Sequence, residues 1–372
     1  MAISCASRVE HATSEMDAML NEFARIAGGM MFLHGHIMNP ETARLLAQAD
    51  RPVPPKPRGG HRPRVMRNGQ ARTYAVLVAL AAIWGGSFLF QRVAAKDFGP
   101  LPLVEVRLAL GALVLLPFLW RERAHFTLSR WPAIVAIGSI STTLPFLLFA
   151  WGAERAPAGI GAISNSMAVP FAALVAFALF GERIGVGRAV ALFAGLAGVT
   201  VLASGDVAGS HIAAAVGAGT LAALMYGVST NLVKHHLSDL PPAALAAAAL
   251  LAGALELAPF TFFEWPKNAV PAHSWASVVA LGVLCTGFAY ALFYRLIGKI
   301  GATRAAMVTY LVPAFGVAWG WLFLGEPLTP SMAAGGALIL GGMIFGQREG
   351  RSQTANPAAV HVTRAQSCAG CC

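Results

Sequence analysis

Residues 157–183 read PAGIGAISNSMAVPFAALVAFALFGER, and residues 301–327 read GATRAAMVTYLVPAFGVAWGWLFLGEP. Each begins on small residues, continues as an apolar run containing a mid-span proline (Pro170, Pro313), and ends at Gly-Glu (Gly181-Glu182, Gly325-Glu326). A glycine-rich apolar run follows each, through Gly195 and Gly198 in the first case and Gly335, Gly336, Gly341 and Gly342 in the second. Duplication of a long apolar unit with such ends points to a chain built from membrane-embedded repeats.

Composition agrees. Hydrophobic residues make up 56% of the 372 residues, charged residues 12%, and mean hydropathy is +0.63, where soluble domains carry about a quarter charged residues. Ten apolar runs follow one another, at about 74–95, 101–120, 132–152, 157–180, 187–204, 211–233, 243–263, 275–297, 302–324 and 331–346. At 1.5 Å rise per residue a helix needs roughly 20 residues to cross a core of about 30 Å, whereas barrel strands would be about ten residues long and strictly alternating. The expectation is therefore an all-α integral membrane protein. The gaps between the runs are too short for a soluble domain.

The net charge of +10 does not indicate nucleic acid, because the basic residues sit beside the apolar runs and are not interleaved with aromatics on one face. Topology explains it better, since Lys and Arg are retained in cytoplasmic loops. With the N-terminus inside, Arg121, Arg123, Arg130, Arg183, Arg188, Lys234, Arg295, Lys299 and Arg304 fall on the inner side, and only Lys96, Arg155 and Lys267 on the outer. Both termini are thus expected in the cytoplasm.

Residues 1–72 form a separate region. Arg51-Pro-Val-Pro-Pro-Lys-Pro-Arg-Gly-Gly is too rich in proline and glycine for a packed element and reads as an extended basic tail. It does not resemble a signal peptide, because Glu10, Glu15, Asp17 and Glu22 precede its most apolar part. Either the tail acts at the membrane surface or in regulation, or Met66 is the true start, or the tail does nothing specific. Residues 348–372 read as a second disordered tail.

The duplication extends beyond the opening stretch. An offset of 142 superposes Trp84 on Tyr226, Gly85 on Gly227, Ser87 on Ser229, Asp97 on Asp239, Pro100 on Pro242 and Pro117 on Pro259. An offset of 144 then superposes Thr142 on Thr286, Phe149 on Phe293, Gly181 on Gly325, Glu182 on Glu326 and Gly198 on Gly342. The halves, 73–205 and 206–347, are copies of five spans each. Five is odd, so the second copy lies inverted in the bilayer, and a cavity near the midplane follows from that pseudo-two-fold. The fold expected is ten transmembrane helices as two inverted five-helix repeats.

The Trp84-Gly-Gly-Ser-Phe start, Arg107 within Val-Glu-Val-Arg-Leu, the Asn165 to Pro170 stretch and the two Gly-Glu ends with glycine-rich helices after them resemble EamA-type carriers of the drug/metabolite transporter superfamily. The resemblance covers residues 73–346. Pro170 lies 12 residues before its glutamate and Pro313 lies 13 before, where the family usually has the longer spacing, and the long N-terminal tail is not a family feature. The resemblance implies a secondary-active carrier in the inner (plasma) membrane that moves a small metabolite, amino acid or drug-like compound, usually outward, by alternating access.

Candidate site residues follow from polar groups inside apolar runs, which face protein or water and not lipid. Glu105 and Arg107 lie near the outer end of the second span, and two residues apart they do not share a helix face. Arg107 reads as an anchor for an anionic group or as a gate, against snorkelling or a structural ion pair. Glu256 reads as a candidate for proton coupling, or as a side chain that reaches water near the outer half of its span. Ser87, Asn165 with Ser164 and Ser166, Thr142, Thr143, Thr286, Thr309, Tyr290 and Tyr310 supply uncharged hydrogen-bonding groups, and Trp84, Tyr226 and Trp319 supply aromatic walls. Serines and threonines also bond back to their own helices. Glu182 and Glu326 read as turn residues whose carboxylates accept free N–H groups at the start of the next helix.

No cofactor or metal is expected. Of five cysteines, Cys368-Ala-Gly-Cys371-Cys372 has half the spacing of a zinc site and lacks a second pair, and His34-Gly-His36 lacks partners. No Walker motif follows a strand, and no hydrolase triad is recognisable. The partners expected are a small-molecule substrate and the lipid bilayer. A membrane-embedded sensor or enzyme on the same fold is the rival reading. An enzyme would need a cluster of His, Asp or Glu at one membrane face, and a sensor would have only residues 1–72 as an output region.

Overall fold

The computed structural model describes residues 64–354 apart from 183, 206–210, 302–304, 306 and 307, with side chains over 73–345. The basic tail of residues 1–63, the C-terminal cysteines, Arg183 and Arg304 lie outside the described residues. Ten helices follow in order: α1 (Arg64–Phe98), α2 (Pro100–Arg121), α3 (Leu128–Arg155), α4 (Ala158–Phe180), α5 (Val186–Ala203), α6 (Ile212–His236), α7 (Pro242–Glu264), α8 (Ala272–Ile300), α9 (Val308–Leu324) and α10 (Pro330–Thr354). The first eight are long and apolar enough to cross a membrane, and the apolar parts of α9 and α10 are shorter, Val308–Leu324 and Pro330–Phe345.

Prolines set several starts, where a missing N–H costs nothing: Pro100, Pro242 and Pro330 each open a helix. Glycines set the ends of α4 and α9. Gly181 and Gly325 adopt φ of 67° and 63°, which lets the next N–H fold back: Glu182 N–H bonds the Ala176 carbonyl and Glu326 N–H the Gly320 carbonyl. The two turns are the same turn, related by the offset of 144. Two helices run longer than expected. α1 starts at Arg64, directly after the last proline of the basic stretch, so 64–72 belong to the helix and not to an extended tail, and α10 continues to Thr354.

Irregularities fall inside three spans. In α4 the α-helical pattern pauses at Ser166 and Met167, which bond back over three residues. Pro170 explains this, since it has no N–H to give the Ser166 carbonyl and its ring crowds it. α3 widens to a π-helix over Ser139–Thr143, next to Pro145, and α8 does so over Ala280–Phe288. No proline marks the second site; there the Thr286 hydroxyl donates to the Leu281 carbonyl at 2.9 Å.

Helix contacts obey the pseudo-two-fold. A Cβ on Gly85 would stand 2.9 Å from the Gly316 nitrogen, and one on the matching Gly227 would stand 2.8 Å from that of Ala172. A Cβ on Gly198 would meet the Gly335 carbonyl at 2.7 Å, and one on Gly342 the Ala191 carbonyl at 3.4 Å. Gly138 lies against Ala249 as Gly282 lies against the backbone of Arg107. Small residues let backbones approach where no hydrophobic force drives helices together in lipid. Polar contacts at the helix ends repeat as well: Ser274 donates to Asp97 at one end, and Arg130 to Asp239 at the other. Trp120 is exposed at the end of α2, and Trp265 and Trp275 are exposed at the opposite end of the bundle, the distribution expected of interfacial aromatic belts.

Candidate functional site

Between the halves runs a cavity of about 1160 Å³. Its wall reaches from Gln91 and Arg107 to Phe118 and Glu122 at the end of α2, Leu237–Pro242 between α6 and α7, and Lys299–Gly301 at the end of α8. It therefore opens at the end of the bundle where α2, α6 and α8 finish.

Of the residues singled out in the sequence, Trp84, Ser87, Arg107, Asn165, Tyr226 and Tyr290 line this cavity, as do Thr142, Ser166 and Thr309. Trp84 lies edge-on to Tyr290 at 6.2 Å and 5.0 Å from Phe293, and Phe149 stacks on Tyr226 at 6.2 Å. Ser87 is satisfied locally by the Trp84 carbonyl at 2.6 Å, and its counterpart Ser229 by that of Tyr226 at 3.1 Å. The side-chain polar groups of Asn165, Tyr226 and Tyr290 have no hydrogen-bond partner among the described residues and are accessible from the cavity.

Arg107 is 7% exposed. Its Nε donates to Thr286 Oγ1 at 3.1 Å, and the guanidinium lies 3.5 Å from the centroid of Phe146. Gln91, which the sequence reading passed over, is buried on the same wall and donates to the Phe146 carbonyl at 3.3 Å. A long polar side chain late in α1 was its only signal.

Other singled-out residues stand outside the lining, Ser164, Thr143 and Thr286 among them. Glu105 does not line the cavity. Glu256 accepts from Ser139 at 2.6 Å and Thr143 at 3.3 Å, so it is held by the π segment of α3. Tyr310 packs against the core formed by α4, α5, α6 and α10. Trp319 is no cavity wall: its indole N–H donates to the Ala82 carbonyl at 3.0 Å and ties α9 to α1.

At the far end of the bundle Glu326 joins the two repeats. Its carboxylate accepts from the backbone N–H of Ala158, at the free N-terminus of α4, and lies 3.5 Å from Arg92 Nε. Thus it caps not the helix that follows it in sequence but one from the other repeat. Burial pushes the Glu326 carboxyl above its ordinary value, against the opposing pull of Ala158 and Arg92. At the open end Lys234 pairs with Glu182. Lys234 is Arg92 displaced by 142, and Glu182 is Glu326 displaced by 144, so both ends carry the same pair, a signal present in the sequence but not extracted from it.

A model of the EamA-like transporter family matches the chain twice, over residues 72–204 and 213–345. An "uncharacterized transporter" of Archaeoglobus fulgidus is 25% identical over 73% of this chain and 97% of that protein. A "probable terminal-alkyne amino-acid exporter" of Streptantibioticus cattleyicolor is 27% identical over 72% and 91%, and a "probable amino-acid metabolite efflux pump" of Salmonella typhimurium is 24% identical over 75% and 96%. A solved crystal structure 19% identical to the chain superposes with a TM-score of 0.53 over 75% of this chain and 99% of that one, which is a likeness of fold.

Proposed function

The chain belongs to the EamA-like transporter family and is a membrane transporter of small metabolites, and we propose that it exports its substrate across the inner (plasma) membrane by alternating access through the cavity between its repeats. The observation that carries this reading is the asymmetry of two symmetric ends. One cavity runs to the end of α2, α6 and α8, while at the other end Glu326 ties the turn after α9 to Ala158 and Arg92, and none of these three lines the cavity. A chain made of two inverted copies has a second state in which the roles of the ends are exchanged. Arg121, Arg123 and Lys299 stand at the open end, so with basic loops inside, the cavity faces the cytoplasm. In this reading all ten helices span the bilayer, both termini are cytoplasmic, and the chain carries no catalytic centre. The two relatives named as an exporter and an efflux pump support the outward direction.

The test is efflux from vesicles holding the full chain, loaded with labelled amino acids, nucleobases, organic acids and amphipathic amines, with and without a pH gradient. Movement of at least one class is expected, lost in Asn165→Ala and Tyr290→Ala. A gradient-dependent signal would identify proton coupling. A folded protein that moves no class in either direction would shift the reading to a sensor on the same fold.

A further inference from the structure

The charged groups on the cavity wall are unevenly placed. Glu122, His125, Asp239 and Lys299 stand at its open end, in the connections after α2 and α6 and in the last turn of α8. Among the described lining residues, Arg107 alone is charged and deep, about two turns in from the start of α2 at the closed end. It forms no ion pair with any described carboxylate. Thr286 satisfies Nε and Phe146 covers one face, while the remaining guanidinium N–H groups have no protein acceptor among the described residues. Taking an ion out of water costs on the order of several kcal/mol unless it is paired. A purely structural arginine at this depth is expected to meet a carboxylate, and this one faces a cavity.

We infer that Arg107 receives a carboxylate of the carried compound at the closed end of the cavity, with the apolar or aromatic body of that compound against Trp84, Phe149, Tyr226 and Tyr290. The inference rests on the transport reading and narrows it to a charge class. The planar guanidinium fork matches two carboxylate oxygens, and such charge-assisted bonds are roughly twice as strong as neutral ones. Among the described residues the same wall holds no acidic group at that depth, because Glu105 and Glu256 stand outside it. An ammonium group therefore meets amide, hydroxyl and aromatic groups but no carboxylate, and the charge of Arg107 opposes it. Cationic amphiphiles are disfavoured, and an acid without an amine is accepted as well as an amino acid.

Matched trios test this: a carboxylic acid, its primary amide and the corresponding amine, each on a propyl, a 2-phenylethyl and a 2-(indol-3-yl)ethyl body, with L-phenylalanine and L-tryptophan beside them. Binding to the full chain is read by equilibrium dialysis, and movement by efflux from vesicles. On at least one body the acid is expected to bind about tenfold or more tightly than its amide and amine. Arg107→Gln should bring the acid to the level of the amide, and Arg107→Lys, which keeps the charge and loses the fork, should retain a reduced preference. Amides or amines that bind wild-type protein as tightly as the acids overturn the inference without any variant having to fold. So does failure of every acid to bind, or a preference that survives Arg107→Gln. Arg107-dependent binding of acids that never move keeps the inference and sinks transport. Amides and amines that move alongside the acids keep transport and sink the inference. Comparison of the simple acids with the two amino acids tells which source supplies the carboxylate.

Discussion

Both carboxylate oxygens of Glu326 lie within hydrogen-bond distance of the backbone N–H of Ala158, at 3.0 and 2.9 Å, across 168 residues of chain. The contact joins the turn between α9 and α10 to the first turn of α4, and Arg92 brings in α1. A carboxylate at a helix N-terminus meets free N–H groups and the positive end of the dipole. The Glu326 and Arg92 side chains are 11% and 18% exposed, so water competes weakly for either.

Glu326→Gln should therefore weaken the end at which Ala158 and Arg92 stand, the outer one in the proposed orientation. A hydrogen bond to a charged group contributes about 1.5–3 kcal/mol, and part of it survives in the amide, so a loss of about 1–2 kcal/mol is expected, a shift of roughly 5–30-fold in population. Cys285 reports it, because it lines the cavity and is 1% exposed. With Cys5, Cys368, Cys371 and Cys372 replaced by serine, a membrane-impermeant maleimide should label Cys285 faster from outside in the variant. Unchanged labelling would remove Glu326 from the gate.

The reciprocal change is Glu182→Gln. Its partner Lys234 stands at the open end, and the Glu182 side chain is 36% exposed, so less stability is at stake in this state, under about 1 kcal/mol. In the proposed cycle the expected effect is of opposite sense: labelling of Cys285 from outside slows, because the state closed at the Glu182 end would lose its latch. Equal shifts in the same direction from both variants would contradict the pseudo-symmetric reading.

What the sequence disclosed is what repeats within one copy. The Gly-Glu turn and the pair Gly198 and Gly342 recur at an offset of 144 and the mid-span proline at 143, and a turn glycine acts through its own backbone, so its meaning is local. The partner of a carboxylate is not local. Glu326 was placed at the helix after it because sequence offers only neighbours, whereas inversion of the second repeat sets it against Ala158 of the first. Trp319 failed as a cavity wall for a similar reason, since helix rotation decides whether an indole faces the cavity or Ala82. The π segment of α8 has no sequence mark, and Arg92 with Lys234 needed only the offset already in hand.

Crossing glycines should be intolerant in proportion to what a methyl would meet. Gly198→Ala puts a Cβ 2.7 Å from the Gly335 carbonyl, with α5 and α10 both needing to move, and overpacking of this kind costs about 1–3 kcal/mol. Gly341, one residue from the matching Gly342, has nothing within 4 Å of a Cβ, so Gly341→Ala should be neutral or stabilising by up to about 1 kcal/mol through helix propensity. Thermal unfolding in detergent should separate the two variants, and equal midpoints would mean that α5 and α10 do not pack as described.

Two tryptophans should divide stability from selectivity. Trp319 donates to the Ala82 carbonyl and lies between the tilted rings of Phe315 and Phe323, 5.7 and 5.6 Å away, whereas Trp84 lines the cavity beside Tyr290 and Phe293. Trp319→Phe removes one hydrogen bond and should cost about 1 kcal/mol of stability while leaving the order of preference among transported compounds as in the wild type. Trp84→Ala should change that order, with aromatic compounds losing more than aliphatic ones, because base-rate apolar burial is lost by both but ring contact only by the former. Each variant is read on the same efflux panel. If Trp319→Phe reorders the panel and Trp84→Ala does not, the cavity that carries substrate is not the one between Arg107 and the C-terminal ends of α2, α6 and α8.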